Sequence, residues 1–253
     1  MRIGNRDIGP GYPAYIVAEI GANHNGDLAS ALVQMQLAMA SINEQNRQEN
    51  LPELEMGIGI HTGQVVAGNI GSPERMKYDV IGNHVNLTSR IESFTIGGQI
   101  LVSETTRREV GRILKLGRQM EVKAKGIERS ITLSEVLGIG GSHKLSLPET
   151  AETLVPLAAE IPLRYEVMEA KSNLGEEMCT GSLTKLSRKG AEAHLANPVP
   201  DLSNLRMRLI GSEGQEIPGT LYGKIIGTVG GSSTHFSIRF TSVPPEIEMF
   251  YAA

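Results

Sequence analysis

The stretch MGIGIHTGQVVAGNIGSPERMKYDVIGNHVNLTSRIESFTIGGQILVSE, residues 56–104, decides how this chain folds. Met56, Ile58 and Ile60 are two apart, so residues 56–61 carry the period-2 pattern of a strand. Residues 65–70 make a second strand, Ser72-Pro73 marks a turn, and residues 77–81 make a third. The period then lengthens. Over residues 83–94, Val85, Leu87 and Ile91 lie on the apolar side of a helix. A strand at 99–102 and a helix at 104–114 follow. Upstream, residues 28–49 read as a helix, with Leu32, Met35, Leu37 and Met39 near helical spacing and Pro52 just beyond its end. Downstream, residues 120–124 and 131–136 alternate like two closing antiparallel strands. Helices and strands in this order predict helices packed on one sheet.

The ends of the chain differ in character. Residues 9–13, GPGYP, are rich in turn formers. AYIVAEI at 14–20 reads as a buried strand, GANHNG at 21–26 as a loop, and Asp27 as a helix N-cap. Residues 141–160 have the Gly, Ser and Pro content of a linker. Beyond it, residues 163–168, 179–186, 205–210, 222–228 and 234–240 are short alternating segments separated by turns, as in a small β-barrel or sandwich. A terminal helix is expected at 246–251, after Pro244-Pro245.

Composition bounds the function. Of the 253 residues, 40% are hydrophobic and 21% charged, as in ordinary globular proteins. A net charge of −4 argues against a broad electrostatic grip on nucleic acid. The absence of Trp argues against a base-stacking platform. The one basic cluster is Arg107, Arg108, Arg112, Lys115 and Arg118. Cys179 is the sole cysteine, which excludes a disulfide framework and fits a cytoplasmic setting. No apolar run is long enough to span a bilayer, and no basic-then-apolar leader opens the chain. His61, His84, His143, His194 and His235 show no metal-ligand spacing and read as ordinary surface or core residues.

Within residues 83–94, Asn86 and Arg90 are four apart and share a helix face. An amide and a guanidinium together suit a ribose and a polyphosphate. The same pair also reads as a solvated or capping pair.

The order GIHTG, VAGNIG, YDVIG, VNLTSRIE and VKAKG across residues 59–126 resembles the class III adenylate/guanylate cyclase catalytic domain, most of all its cyanobacterial type, over the C-terminal half of that domain. The resemblance implies that Asn86 orients the ribose and stabilises the transition state. It implies that Arg90 meets developing phosphate charge, that Lys123 binds the β- and γ-phosphates, and that Asp79 selects adenine through its amino group. Read without the family, Lys123 and Lys125 are equally solvated strand residues, and Asp79 equally serves the adjacent turn. In the family the substrate is ATP or GTP, here ATP. The 3′-hydroxyl attacks the α-phosphate, and Mg2+ or Mn2+ ions assist. The site lies between two subunits, which implies a homodimer, or a heterodimer with an intact cyclase subunit.

The family's two metal-binding aspartates are not evident. Asp27 lies in NHNGD and Asp7 before a turn, neither in the family's context. The expectation is that the isolated chain makes no cyclic AMP. Residues 8–27, IGPGYPAYIVAEIGANHNGD, resemble the start of N-acetylneuraminate synthases instead; Glu19, Asn23 and His24 would derive from that family's barrel. LSRKGAEAHL at 186–195 resembles a PilZ domain. Ser187 and Gly190 match its D/N-x-S-x-x-G motif, Lys185 departs from it, and of the upstream arginine pair only Arg164 remains. That predicts a barrel serving structure or protein contact rather than cyclic di-GMP binding.

The expected fold is therefore α+β: a partial class III nucleotidyl cyclase (ferredoxin-like) domain followed by a small PilZ-like β-barrel. The divisions are 1–28, a synthase-like fragment; 29–140, the truncated cyclase domain; 141–160, the linker; and 161–253, the barrel. The leading function is an adenylate cyclase-family protein of cytoplasmic signalling, with neither nucleic acid nor membrane as partner. The alternatives are a non-catalytic nucleotide-binding module that pairs with an intact cyclase, and a synthase fragment.

Overall fold

Two stretches of the chain with different strand patterns become two units, residues 17–150 in one and residues 1–16 with 151–253 in the other. The computed structural model describes residues 2–3, 6–7, 28–49, 51, 53–72, 74–122, 130–141, 144–148, 153–168 and 178–252. The expected strand at 14–20, the loop at 21–26 and the cap Asp27 lie outside them. At the start of the chain, Arg2–Ile3 (β1) and Arg6–Asp7 (β2) pair antiparallel.

The first unit opens with the expected helix, Leu28–Gln48 (α1). Strand β3 (Ile58–Ile60), strands β4 (Val66–Ser72) and β5 (Arg75–Ile81), helix α2 (Asn83–Phe94) and strand β6 (Ile100–Ser103) then follow. Helix α3 (Glu104–Val110) stops earlier than its pattern suggests. Gly111 takes a left-handed φ of 72°, and one 3-10 turn, Gly111–Ile113, leads into strand β7 (Leu114–Val122). Strand β7 therefore begins six residues before the expected position. Strands β8 (Ile131–Ile139) and β9 (Leu145–Ser146) complete the unit.

The sheet order is β3-β6-β8-β7, with β9 on β8. β3 and β6 are parallel, as a strand–helix–strand crossover requires, and the remaining pairs are antiparallel. Every residue of β6 is buried, so both faces of the sheet are covered. Alternation shows by what. Ile58, Ile60, Ile100 and Val102 join Val33 of α1, Val136 and Ile139 in one apolar cluster. Gly59 faces the other way, and a Cβ there would lie 2.3 Å from the backbone nitrogen of Glu92 in α2. Helices α1 and α2 thus cover opposite faces. The glycine lets the α2 backbone approach the sheet more closely than any side chain would permit.

β4 and β5 form their own two-stranded sheet. Val66, Met76, Tyr78, Val80 and Ile81 of this hairpin are exposed.

The second unit contains a closed antiparallel barrel in the order β10-β11-β12-β15-β14-β13. Its strands are β10 (Val155–Val167), β11 (Cys179–Leu186), β12 (Gly190–Leu195), β13 (Asn204–Leu209), β14 (Leu221–Thr228) and β15 (His235–Ser242). Helix α4 (Pro245–Ala252) ends the chain. Strand β10 begins at Val155, inside the stretch read as linker. Strand β12 is the sixth strand, absent from the five segments expected from the sequence. Its inward residues are Ala191, Ala193 and Leu195, and the two alanines give a weak apolar signal. Closure explains them: Ala193 sits opposite Phe236 and Ala191 opposite Ile238. Small residues facing large ones fill a narrow barrel without voids.

Candidate functional site

Helix α2 carries the first two candidates. Gly82, with φ 146°, turns the chain out of the hairpin and into the helix, and its carbonyl accepts from the Asn86 N–H at 3.2 Å. Asn86 is exposed and Arg90 half-buried one turn later, while Ile91 on the buried side is wholly enclosed. The shared face of Asn86 and Arg90 is thus realised. Among the described residues, no side chain engages the Asn86 amide or the Arg90 guanidinium. Among those residues both stay open to a ligand, and neither caps the helix: no side chain caps the N-terminus of α2, and Thr95 serves its C-terminal end.

Asp79 sits on β5 opposite Gly68. Its carboxylate is held by Lys77 Nζ at 3.0 Å and accepts from the Val80 N–H at 2.9 Å. The Lys77 ammonium, and then that N–H, keep its pKa below the ordinary carboxylate value. Its polar partners are therefore neighbours on its own strand, not Asn86 or Arg90. Lys123 lies outside the described residues, as do Lys125, Glu19, Asn23, His24 and His143.

A polar chain invisible in the sequence spacing runs beside α2. His61, just past β3, places Nδ1 2.7 Å from Ser103 Oγ and Nε2 2.7 Å from His84 Nδ1 in the first turn of α2. Ser103 closes β6 and caps α3 by accepting from the Thr106 N–H at 3.3 Å. Thr106 Oγ1 in turn lies 3.1 Å from both Ser103 Oγ and Thr62 Oγ1. Burial, and then the neighbouring His84, push the His61 pKa below that of ordinary imidazole. Residues 61 and 84 are 23 apart, so only the β3–α2–β6 crossover brings them together.

The basic cluster is partly neutralised. Glu104 pairs with Arg107 at 2.6 Å and Arg108 at 2.8 Å, and these bonds hold its pKa at about 2. In the barrel, Ser187 shapes the β11–β12 turn by donating its N–H to the Gly190 carbonyl at 2.8 Å, and Arg164 is paired with Glu216 at 3.1 Å.

Known proteins supply the family. The family described as "Adenylate and Guanylate cyclase catalytic domain" matches residues 8–134, 127 of the 253. This chain belongs to that family. The matched span takes in residues 8–27, the stretch expected to be a separate fragment. Among relatives, the cyclase-family chain is 32% identical over 103 residues to "Adenylate cyclase 1" of Rhizobium meliloti, covering 40% of this chain and 16% of that protein. It is 35% identical over 115 residues to "Adenylate cyclase" of Anabaena cylindrica, covering 42% and 23%. The chain thus spans less than a quarter of these relatives' length. The solved structure of "the guanylyl cyclase Cya2" is 44% identical, with a TM-score of 0.47, and covers 51% of this chain and 68% of that one.

Cyclases of this family use Mg2+ or Mn2+. Among the described residues, no group of three or more His, Cys, Asp and Glu side chains is placed to hold a metal ion. Asp79, on the strand that leads into α2, is already committed to Lys77. The described residues do not fit the family's metal group. No helix among the described residues is long and apolar enough to cross a membrane.

Proposed function

We propose that this chain is the substrate-gripping half of a cytoplasmic adenylate cyclase, supplying Asn86, Arg90 and Lys123 to an ATP site completed by a partner subunit. The observation that carries the reading is the α2 face, where an amide and a guanidinium stand one turn apart with no side-chain partner among the described residues. Asn86 hydrogen-bonds the ribose and Arg90 neutralises charge on the α-phosphate as the 3′-oxygen bonds to phosphorus. The bond to the pyrophosphate oxygen breaks, and the hydroxyl proton is released. Lys123 holds the β- and γ-phosphates, and Asp79, kept ionised by Lys77, accepts from the adenine amino group.

Cyclase domains of this family bind nucleotide and typically dimerise. Here the exposed apolar hairpin β4–β5 supports a paired assembly, either with a second copy or with an intact cyclase subunit. The chain without an intact cyclase subunit is inactive in this reading, because the metal-binding carboxylates come from that subunit. The barrel is a PilZ-like module for protein contact, consistent with Arg164 being tied to Glu216 rather than open to cyclic di-GMP. Since the family match begins at residue 8, the reading has no need of a synthase fragment.

The test mixes this chain with a cyclase subunit whose corresponding Asn and Arg are removed. Cyclic AMP formed only in the mixture, and lost with Asn86→Ala or Arg90→Ala, supports the reading. Cyclic AMP well above a blank from the chain alone overturns its dependence on a partner. A silent mixture in which the chain still binds ATP favours a second reading, a non-catalytic nucleotide-binding module. Micromolar cyclic di-GMP binding by titration calorimetry overturns the role given to the barrel.

A further inference from the structure

His61 and His84 do more than fill space beside α2. We infer that their facing nitrogens, His61 Nε2 and His84 Nδ1, form a two-imidazole site for a divalent transition-metal ion of the zinc, nickel and copper class.

The geometry supplies three parts of such a site. The two nitrogens are 2.7 Å apart, with the rings stacked at 29° and their centroids 5.0 Å apart. Two zinc–nitrogen bonds at a tetrahedral angle separate their nitrogens by roughly 3.3 Å, so a small movement of one ring admits the ion. His84 is exposed and free to make it.

The second part is orientation of the first ligand. His61 Nδ1 is 2.7 Å from Ser103 Oγ, which also accepts from the Thr106 N–H and has Thr106 Oγ1 within reach. With Nδ1–H donating to Ser103, the Nε2 lone pair of His61 faces His84. A hydrogen bond to the far ring nitrogen is how metal-binding imidazoles are commonly held.

The third part is the seat of the second ligand. A Cβ at Gly63 would lie 2.2 Å from Cγ of the His84 ring, so the glycine leaves the space that this ring occupies. In the tautomer with His61 Nδ1–H on Ser103, the proton between the rings belongs to His84 Nδ1. When a metal ion takes its place, His84 carries its proton on Nε2 instead, and neither ring changes charge. Imidazole nitrogens select zinc, copper and nickel over magnesium and calcium. Among the described residues no third His, Cys, Asp or Glu completes the site, so water fills the other positions and the affinity is modest.

The full chain titrated with zinc chloride by calorimetry is expected to take up one equivalent in the micromolar range. His84→Gln, an exposed change, should weaken uptake by at least about tenfold. Ser103→Ala should weaken it by about tenfold while leaving both imidazoles in place. His194→Gln, which alters the other close histidine pair in the barrel, should leave it unchanged. No uptake by the wild-type chain overturns the site, as does uptake by His84→Gln equal to wild type. Binding is the readout, so this result stands apart from whether the chain supports cyclic AMP synthesis.

Discussion

The barrel and the cyclase-family unit solve burial in different ways. In the barrel, strand β13 alternates cleanly: Leu205, Met207 and Leu209 point in, while Arg206 and Arg208 point out. The ring of strands closes on itself, leaving no unpaired edge. The other unit covers its sheet with α1 and α2 but extends the β4–β5 hairpin with five large apolar residues exposed. It also holds the Asn86–Arg90 helix face, with no side-chain partner among the described residues. One architecture satisfies itself, and the other is built to be met by something else. The proposed site falls on the second kind: the binding chemistry is assigned where self-satisfaction is incomplete.

The comparison can be broken by mutation. Phe236→Ala empties the space opposite Ala193 in a core with no slack and should cost about 3–5 kcal/mol in denaturant unfolding. A much smaller loss would mean the barrel is not closely packed. Gly59→Ala drives a Cβ into the α2 backbone and should cost about 1–3 kcal/mol. If its cost were nil, α2 would not be seated as described.

Acidification offers a gentler probe of both units. His61 and His235 are each held below the ordinary imidazole pKa of 6.5, chiefly by burial and then by a second histidine. A depressed folded-state pKa means the unfolded chain binds more protons. The stability these neutral rings contribute is therefore complete above pH 6.5 and is lost as pH falls below it. Thermal midpoints should drop over that window, and His61→Gln should flatten part of the slope. Unchanged midpoints would remove the basis for both shifts. The smallest effect is expected on the hairpin, where Tyr78→Ser should alter stability by no more than about 0.5 kcal/mol. It should nevertheless weaken self-association measured by sedimentation, and equal association would return the hairpin to ordinary surface.

How much of this was legible beforehand follows from the range of each signal. Helix α2 was readable to the residue, because Val85, Leu87 and Ile91 carry a local period. Strand β11 was equally plain. Strand β12 was not, since Ala191 and Ala193 look unremarkable until Phe236 and Ile238 are set across from them. The extent of α3 was overread because Gly111 ends a helix by backbone conformation, which apolar periodicity does not record. Of the candidate site, the Asn86–Arg90 face was legible from a four-residue spacing. The His61–His84 pair depends on a crossover of 23 residues, and nothing local signals it. Asp79 was readable as an acid on a strand, but its commitment to Lys77 was not.

The hairpin's isolation from the larger sheet has a last consequence. Two strands alone form only a marginal ladder in water, so the amides of β4 and β5 gain little shelter from solvent hydrogen exchange by themselves. Slow exchange there would signal a surface already occupied, which makes these backbone protons a built-in gauge of whether the molecule is alone.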